Sequence, residues 1–253
     1  MIAFKHSLLI AAIASLFTAN SASAFQVIKG EDINNGGLNT RATLNQTKQK
    51  EQQFLDLFDS TVGTEKFENA SNETNGNLDL SFAEAGTASL GGNGEVHDIT
   101  ESNKKIAYDL EQGLYPASGD RYWYTEATPE ANATFNINFS QEIAAFGFYA
   151  YDLGDWGAQL TLKLYSNGKL VDTIENVHTM VNDGSTTGSA IYVGIVGDLQ
   201  ADLTRQTFDR VEFSTAGNDI VNTRHDIFAF DNMTIAIPDQ IIPTPDQLIG
   251  HQD

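Results

Sequence analysis

Residues 143–156 join an alternating apolar run to an acidic loop whose residues could do chemistry. Two carboxylates, Asp152 and Asp155, stand beside Trp156 and are separated by Leu-Gly, a pattern typical of a tight turn. Carboxylate and backbone carbonyl oxygens are the ligands that Ca²⁺ prefers, and a flat aromatic ring beside polar groups suits the C–H face of a sugar. The loop therefore predicts a calcium site or a sugar-facing rim. A plain acidic turn explains the same residues, and the spacing is not that of an EF-hand.

A second pair of carboxylates comes from opposite ends of the β-rich region. Glu68 ends an early predicted strand, and Asp231 lies in the last long one, 226–237. The first and last strands of a jelly roll are commonly neighbours. We therefore predict that Glu68 and Asp231 meet and supply part of a calcium shell, with Asp152 and Asp155 as the other metal candidates. The alternative is that both are surface carboxylates of edge strands.

Aromatic residues cluster at Arg121-Tyr122-Trp123-Tyr124. Because successive side chains of a strand point to opposite faces, Trp123 is predicted to face the core, with the two tyrosines on the other face. Tyr122, Tyr124 and Trp156 are the predicted ligand-binding residues.

Signatures of catalysis are missing from the sequence. There is no cysteine, no G-x-S-x-G, no H-E-x-x-H, no P-loop and no dinucleotide fingerprint. The neighbours His225 and Asp226 form the one suggestive pair, and we interpret it as structural. A carboxylate pair for glycoside cleavage could come from distant strands, but nothing singles one out among 34 acidic residues.

The elements that must position these residues are short strands. Apolar and polar residues alternate in runs bounded by Gly, Asn, Asp and Ser, and Asn167-Gly168 is a strong hairpin signal. The runs are 64–68, 77–83, 86–90, 120–126, 132–139, 142–152, 158–166, 168–176, 188–196, 207–214 and 226–237. They predict an all-β fold, a jelly-roll-like β-sandwich. One N-terminal helix is expected within 46–59, capped by Asn45 and packed across the edge of the sandwich.

The two ends of the chain and its amino-acid composition predict the compartment and argue against some classes of partner. Residues 1–24 carry Lys5, an apolar run and Ala-Ser-Ala, which predicts a secretory signal peptide. Residues 25–63 are expected to hold a strand, a loop and the helix, 64–237 the sandwich, and 238–253 an extended tail. A net charge of −20 argues against nucleic acid and anionic lipid as partners. No later segment of the sequence is long and apolar enough to predict a membrane span.

The sequence resembles exported bacterial proteins of the PEP-CTERM sorted type. The resemblance rests on Gly113-Leu-Tyr-Pro-Ala-Ser-Gly119 with Tyr122-Trp123, on Phe139-Ser140 with 145–155, and on 228–233. It covers about residues 64–237 and implies an extracellular sandwich associated with the cell surface or an exopolysaccharide matrix. The chain departs from that group after Pro238, where neither an apolar helix nor a basic cluster follows. This departure predicts free secretion, or periplasmic residence as the alternative, over anchoring by that route.

Together these features predict a secreted, non-catalytic surface or biofilm-matrix module that is calcium-stabilised and that binds polysaccharide or itself. One alternative is a hydrolase or lyase acting on polysaccharide. The other is a structural subunit that assembles by strand pairing.

Overall fold

The computed structural model describes residues 24–58, 62–128, 132–175, 177–179, 186–200, 202–216 and 225–242. The predicted signal peptide, apart from Ala24, and the tail beyond 242 lie outside the described residues. In the described part of the chain, the strands form two antiparallel sheets packed as a sandwich, which confirms the predicted fold class.

Seven strands form the first sheet and six form the second, among the residues described. The first sheet has the order β1-β11-β8-β13-β6-β5, with β2 also paired to β13, and the second has the order β10-β9-β12-β7-β4-β3. The strands are β1 Phe25–Asp32, β2 Gly63–Glu65, β3 Leu78–Ser81, β4 Thr87–Gly92, β5 Glu95–Asp98, β6 Arg121–Ala127, β7 Ala133–Ile143, β8 Ala145–Tyr151, β9 Gln159–Ser166, β10 Lys169–Ile174, β11 Ala190–Gly197, β12 Phe208–Ala216 and β13 Asp226–Ala236.

The main core lies between the sheets and is rich in phenylalanine. Phe135 of the second sheet stacks on Phe213 of the neighbouring strand with ring centroids 4.3 Å apart. Both contact Phe230 of the first sheet edge-on, at 5.1 and 5.4 Å. Each fully buried side chain of this size contributes about 1.5–3 kcal/mol of transfer free energy, so this aromatic layer is a major source of cohesion between the sheets.

The outer face of the first sheet is also buried, because helix α1 (Gln46–Leu55) lies on it. Phe54 is fully buried and sits directly over two glycines of adjacent strands: a Cβ at Gly147 would lie 2.9 Å from its ring, and one at Gly194 2.6 Å. The helix begins where Asp32 accepts hydrogen bonds from the amides of Gln46 and Thr47, at 2.9 Å each. The expected helix is confirmed, and it lies on the outer face near the edge of the sheet, over the edge strand β1 and its neighbour β11. The side chain of Asn45 makes no capping hydrogen bond, since Asp32 accepts from these amides instead.

A second helix, α2 (Lys104–Glu111), was not predicted. Asn103 caps it, its side-chain oxygen accepting from the amide of Ile106 at 2.9 Å. The buried Asp109 fixes the helix to the sheet: its carboxylate accepts a hydrogen bond from the Tyr122 hydroxyl at 2.8 Å and contacts Nδ1 of His97. The segment is amphipathic, but its eight residues are shorter than the window of about 11 to 18 residues over which helical periodicity is read.

Two features of the structure bear on the predicted divisions of the chain. β1 pairs with β11 from Phe25↔Gly197 to Asp32↔Ala190, so this N-terminal strand is an integral part of the sandwich. The tail was expected to extend from Pro238, yet Pro238–Gln240 forms a 3-10 turn and Ile241 is buried, bridging to Phe58. None of the described helices has the length and apolar character that crossing a bilayer requires.

Candidate functional site

Four strand ends of the first sheet converge at one edge of the molecule. The register places Asp226, the first residue of β13, opposite Ala127, the last of β6. It also places Ala190, the first residue of β11, opposite Tyr151, the last of β8. The described residues next to these strand ends therefore lie close together, and with α2 and the segment around Leu38 they form the candidate site.

The acidic loop after β8 has a strained, closely packed backbone. Asp152 adopts a left-handed conformation with φ 60°, which few non-glycine residues do. Gly154 has φ 83°, and a Cβ there would lie 2.8 Å from both the Ala158 carbonyl oxygen and Nδ1 of His178. Burial lowers the pKa of that histidine to about 4, so His178 is neutral against the loop. A strained backbone of this kind persists only where contacts with its surroundings stabilise it. In this loop the stabilising contacts are made by the carboxyl groups.

Three aspartates, Asp152, Asp155 and Asp226, form a buried group that we call the aspartate cluster. Asp152 accepts a hydrogen bond from the Gly188 amide at 2.6 Å, and Asp155 accepts one from the Thr187 hydroxyl at 2.7 Å. Asp226 accepts one from the Ala158 amide at 2.9 Å. None of the three side chains is more than 1% exposed. The cluster thus ties the loop after β8 to the loop before β11 and to the start of β13.

Burying three carboxyl groups side by side changes their pKa values. Burial, and after it the charge of Asp155, raises the pKa of Asp152 and Asp226 well above the usual range. Asp226 also lies within hydrogen-bonding reach of Asp155, and two carboxyls can share such a bond only if one holds a proton. A buried charge without compensation is costly, so the cluster requires either protons or a cation.

A cleft of about 630 Å³ opens beside this cluster. Its described lining combines exposed apolar groups with polar ones: Leu38, Tyr108, Gln112, Glu126, Trp156, Thr187 and His225. Leu38 and Tyr108 are 51% and 53% exposed, unusually high for large apolar side chains. Trp156 follows Asp155 in sequence, and the Thr187 hydroxyl donates to Asp155, so the residues that bury the cluster also form a wall of the cleft.

Glu126 lies where the cleft meets a second, smaller depression. Its Oε1 contacts Nδ1 of His225, the residue directly before β13. The second depression, of about 300 Å³, is lined by Glu126 again together with Tyr124, Glu95 and two asparagines, Asn75 and Asn93. The two concavities therefore share one carboxylate.

The structure separates the three predicted ligand-binding aromatics. Trp156 lines the cleft and Tyr124, half-buried, lines the smaller depression, stacked on His97 at 4.2 Å. Tyr122 is fully buried. The predicted alternation of this strand holds, with Trp123 in the core and Tyr122 on the opposite face, but α2 covers that face. A role for Tyr122 in contacting a ligand is therefore wrong, since its hydroxyl is used by Asp109.

Glu68 and Asp231 do come together, as predicted, but at a place separate from the aspartate cluster. Glu68 accepts hydrogen bonds from the amides of Asp120 and Arg121, at 2.8 and 3.0 Å. Asp231 accepts from those of Ala117 and Ser118, at 2.7 and 3.1 Å. Burial, with a further contribution from the charge of Glu68, raises the pKa of Asp231 to about 8. Both carboxyls fasten the loop 117–121, an anchoring role.

The four predicted metal ligands thus form two pairs rather than one site. Within the described ranges, no three His, Cys, Asp or Glu side chains are arranged as ligands of one metal ion. Ca²⁺ takes six to eight oxygens, which neither pair supplies from its carboxylates alone. Calcium binding stays a prediction, and of the two places the aspartate cluster has the greater need of a compensating charge.

Leu38, Tyr108, Glu126 and Asp226 were missing from the sequence predictions. They lie on four separate segments, and only strand pairing and the placement of α2 bring them together. The one sequence signal was His225-Asp226, interpreted as structural; Asp226 joins the aspartate cluster, and His225 the cleft.

Comparisons with known proteins identify distant structural likenesses. No protein-family model matches the chain, and no curated protein matches it. The K2 cleaved adhesin domain of Lys-gingipain is 12% identical with a TM-score of 0.42, covering 70% of this chain and 98% of that one. A cyclase from Fischerella sp. TAU is 9% identical with a TM-score of 0.34, covering 68% and 94%. The family 11 carbohydrate-binding module of a Clostridium thermocellum cellulosomal cellulase is 11% identical with a TM-score of 0.31, covering 70% and 96%. At these scores the likenesses carry no conclusion about ligand or activity.

Proposed function

We propose that this protein is a non-enzymatic glycan-binding module whose binding site is the cleft at the end of the first sheet. The observation that carries the proposal is the composition of the cleft. The exposed side chains of Leu38 and Tyr108 and the partly buried ring of Trp156 stand there beside hydrogen-bonding groups of Gln112 and Thr187.

That mixture matches the chemistry of a sugar ring. A pyranose presents a patch of C–H bonds, which packs on an aromatic or aliphatic surface, and a rim of hydroxyls, which exchange hydrogen bonds with amides and hydroxyls. Ligand sites generally combine an apolar lining with a few placed polar groups. Because the aspartate cluster and the cap of α2 hold the walls, little ordering cost is expected on binding.

The carboxylates support binding rather than cleavage. Glycoside hydrolysis ordinarily uses two carboxyl groups flanking the scissile bond. Among the described residues that line the cleft, Glu126 is the single carboxylate, and it contacts His225. The rival, a polysaccharide hydrolase or lyase, requires turnover that depends on Glu126.

We further propose calcium as a stabilising ligand of the aspartate cluster, and export to the cell surface or biofilm matrix as the setting. The support for calcium is the burial of three neighbouring carboxyl groups, Asp152, Asp155 and Asp226, which require either protons or a cation. The support for export is the predicted signal peptide in 1–24.

Oligosaccharide binding by the wild type and by Trp156→Ala tests the proposal. Calorimetric titration with a panel of neutral, amino and acidic oligosaccharides should find at least one ligand, and Trp156→Ala should weaken it about tenfold or more, since a buried aromatic contact is worth about 1.5 kcal/mol or more. Tyr165→Ala is the matched control, because Tyr165 lies on β9 of the other sheet under Arg210. Hydrolysis of any panel member would favour the enzyme alternative, and equal affinity in both variants would overturn the assigned site.

A further inference from the structure

We propose that the cleft selects oligosaccharides that carry free amino groups, such as de-N-acetylated glucosamine chains, with Glu126 as the residue that recognises the ammonium group. This inference rests on the proposed function and assigns the class of glycan. It follows from the charges around the cleft and from the way in which its two concavities join.

The cleft is electronegative at its aromatic wall. Glu126 lines the same cleft as Tyr108, and burial, followed by the charge of Glu126, raises the pKa of Tyr108. Asp109 and Glu111 act on the same hydroxyl in the same direction. Three carboxylates, Glu126, Asp109 and Glu111, therefore act on one side chain of the cleft, and the net charge of the whole protein, −20, has the same sign.

Positive charge in the lining is scarce. Among the described residues that line the cleft, His225 alone can become cationic, and it lies against Glu126. A uronic acid or sulfated sugar entering here would meet like charge. An ammonium group would replace His225 as the partner of Glu126, in a charge-assisted hydrogen bond, and would be attracted to the faces of Trp156 and Tyr108.

The placement of Glu126 also indicates an oligomer rather than a single sugar. The side chain belongs to both concavities, the cleft with Trp156 and the smaller depression with Tyr124. In the depression a second carboxylate, Glu95, lies near the amide side chains of Asn75 and Asn93, though Lys105 and His97 already contact it. A chain crossing from one concavity to the other would therefore pass Glu126 at the junction and find an aromatic ring on each side.

The test compares one chain length in three chemical forms: a glucosamine oligomer, its fully N-acetylated counterpart and an oligouronate. At a pH where the amines are charged, the wild type should bind the glucosamine form about tenfold more tightly than the acetylated form, because a charge-assisted bond is worth about 1.5 kcal/mol or more. The preference should shrink as salt is added. The oligouronate should bind weakest.

Glu126→Gln isolates the charge, since glutamine keeps the size and hydrogen-bonding capacity of the side chain. It should remove the preference for the amine, so that the glucosamine and acetylated forms bind with similar affinity, and its melting temperature verifies the fold. Glu142→Gln, an exposed glutamate of β7, is the matched control and should keep the preference. Should Glu126→Gln fail to fold, Glu111→Gln should reduce the preference partially.

Two results would overturn the inference while leaving the proposed function intact. The first is equal or tighter binding of the acetylated form by the wild type. The second is a preference for the amine that survives in Glu126→Gln. If none of the three oligomers nor any other glycan binds, the proposed function fails together with the inference.

Discussion

At the residue scale, the aspartate cluster is where the molecule departs most from ordinary packing. The sequence brings Asp152, Asp155 and Trp156 onto one loop, and the structure keeps them together at the candidate site. Asp226 could not be predicted from the sequence, because it joins them only through the pairing of β13 with β6 and β8. Sequence spacing therefore identifies the residues that share one loop, whereas the residue from a distant strand is identified only by the pairing of the sheet.

The cluster makes a prediction about pH. An acid whose pKa is raised by folding binds its proton more tightly when folded, so its contribution is complete below the unfolded pKa and is lost as pH rises towards the folded value. Without divalent cations, the melting temperature should fall from about pH 5 to about pH 8 as Asp152, Asp226 and Asp231 are forced to ionise.

Asp226→Asn mimics the protonated carboxyl, since its oxygen can accept from Ala158 and its amide can donate to Asp155. It should raise the melting temperature at the alkaline end by a few degrees, about the effect of 1 kcal/mol in a protein of this size, and change little in acid. The exposed Asp79→Asn is the control. With added Ca²⁺ the variant should instead melt at a lower temperature than the wild type, because it lacks one ligand. If the melting temperature of the variant matches that of the wild type at every pH, with and without Ca²⁺, the cluster neither titrates nor binds calcium as proposed.

At the element scale, the alternation of apolar and polar residues predicts the strands well, but it does not predict where a helix packs on a sheet. The alternating run at 132–139 becomes part of β7, and the one at 158–166 becomes β9, because one face of each meets the core. In β8 and β11 every residue is buried. Which element covers their outer face is decided by small residues such as Gly147 and Gly194, a signal that periodicity does not contain.

Helix α2 is the element on which the cleft depends most, because it carries Tyr108 and is followed directly by Gln112. Asp109→Ala would leave His97 and the Tyr122 hydroxyl without their buried partner. We expect a loss of about 3 kcal/mol in the free energy of unfolding by urea, accompanied by weaker glycan binding. Lys104→Ala, exposed on the same helix, should change stability by less than about 0.5 kcal/mol. Equal effects from the two variants would show that Asp109 does not hold the helix.

At the scale of the whole molecule, the sequence predicts a sandwich but not the order of its strands. Alternation assigns each strand a buried face, while its neighbours depend on connections between distant segments. β1 is the clearest case: it comes first in the chain and forms an edge beside β11, with α1 packed over both.

Removal of residues 25–58 should therefore be destructive. It strips the edge of β11 and uncovers the tyrosines of the outer face, Tyr149 and Tyr192, so the remainder should aggregate in light scattering. A synthetic peptide of residues 25–58 should restore a soluble complex by adding the missing strand. Two results together would instead support the structural-subunit alternative. The truncated protein would fold alone, and the full-length protein would polymerise as its concentration rises.

The most direct measurement uses the tryptophans as reporters. The chain has two, of which Trp123 is fully buried and Trp156 lines the cleft. Fluorescence titration with a glucosamine oligomer should give a saturable change in Trp156 emission, unaltered in Trp123→Phe and absent in Trp156→Phe. A saturable change that persists in Trp156→Phe, or none with any glycan that binds the protein, would contradict the assignment of the cleft as the glycan site.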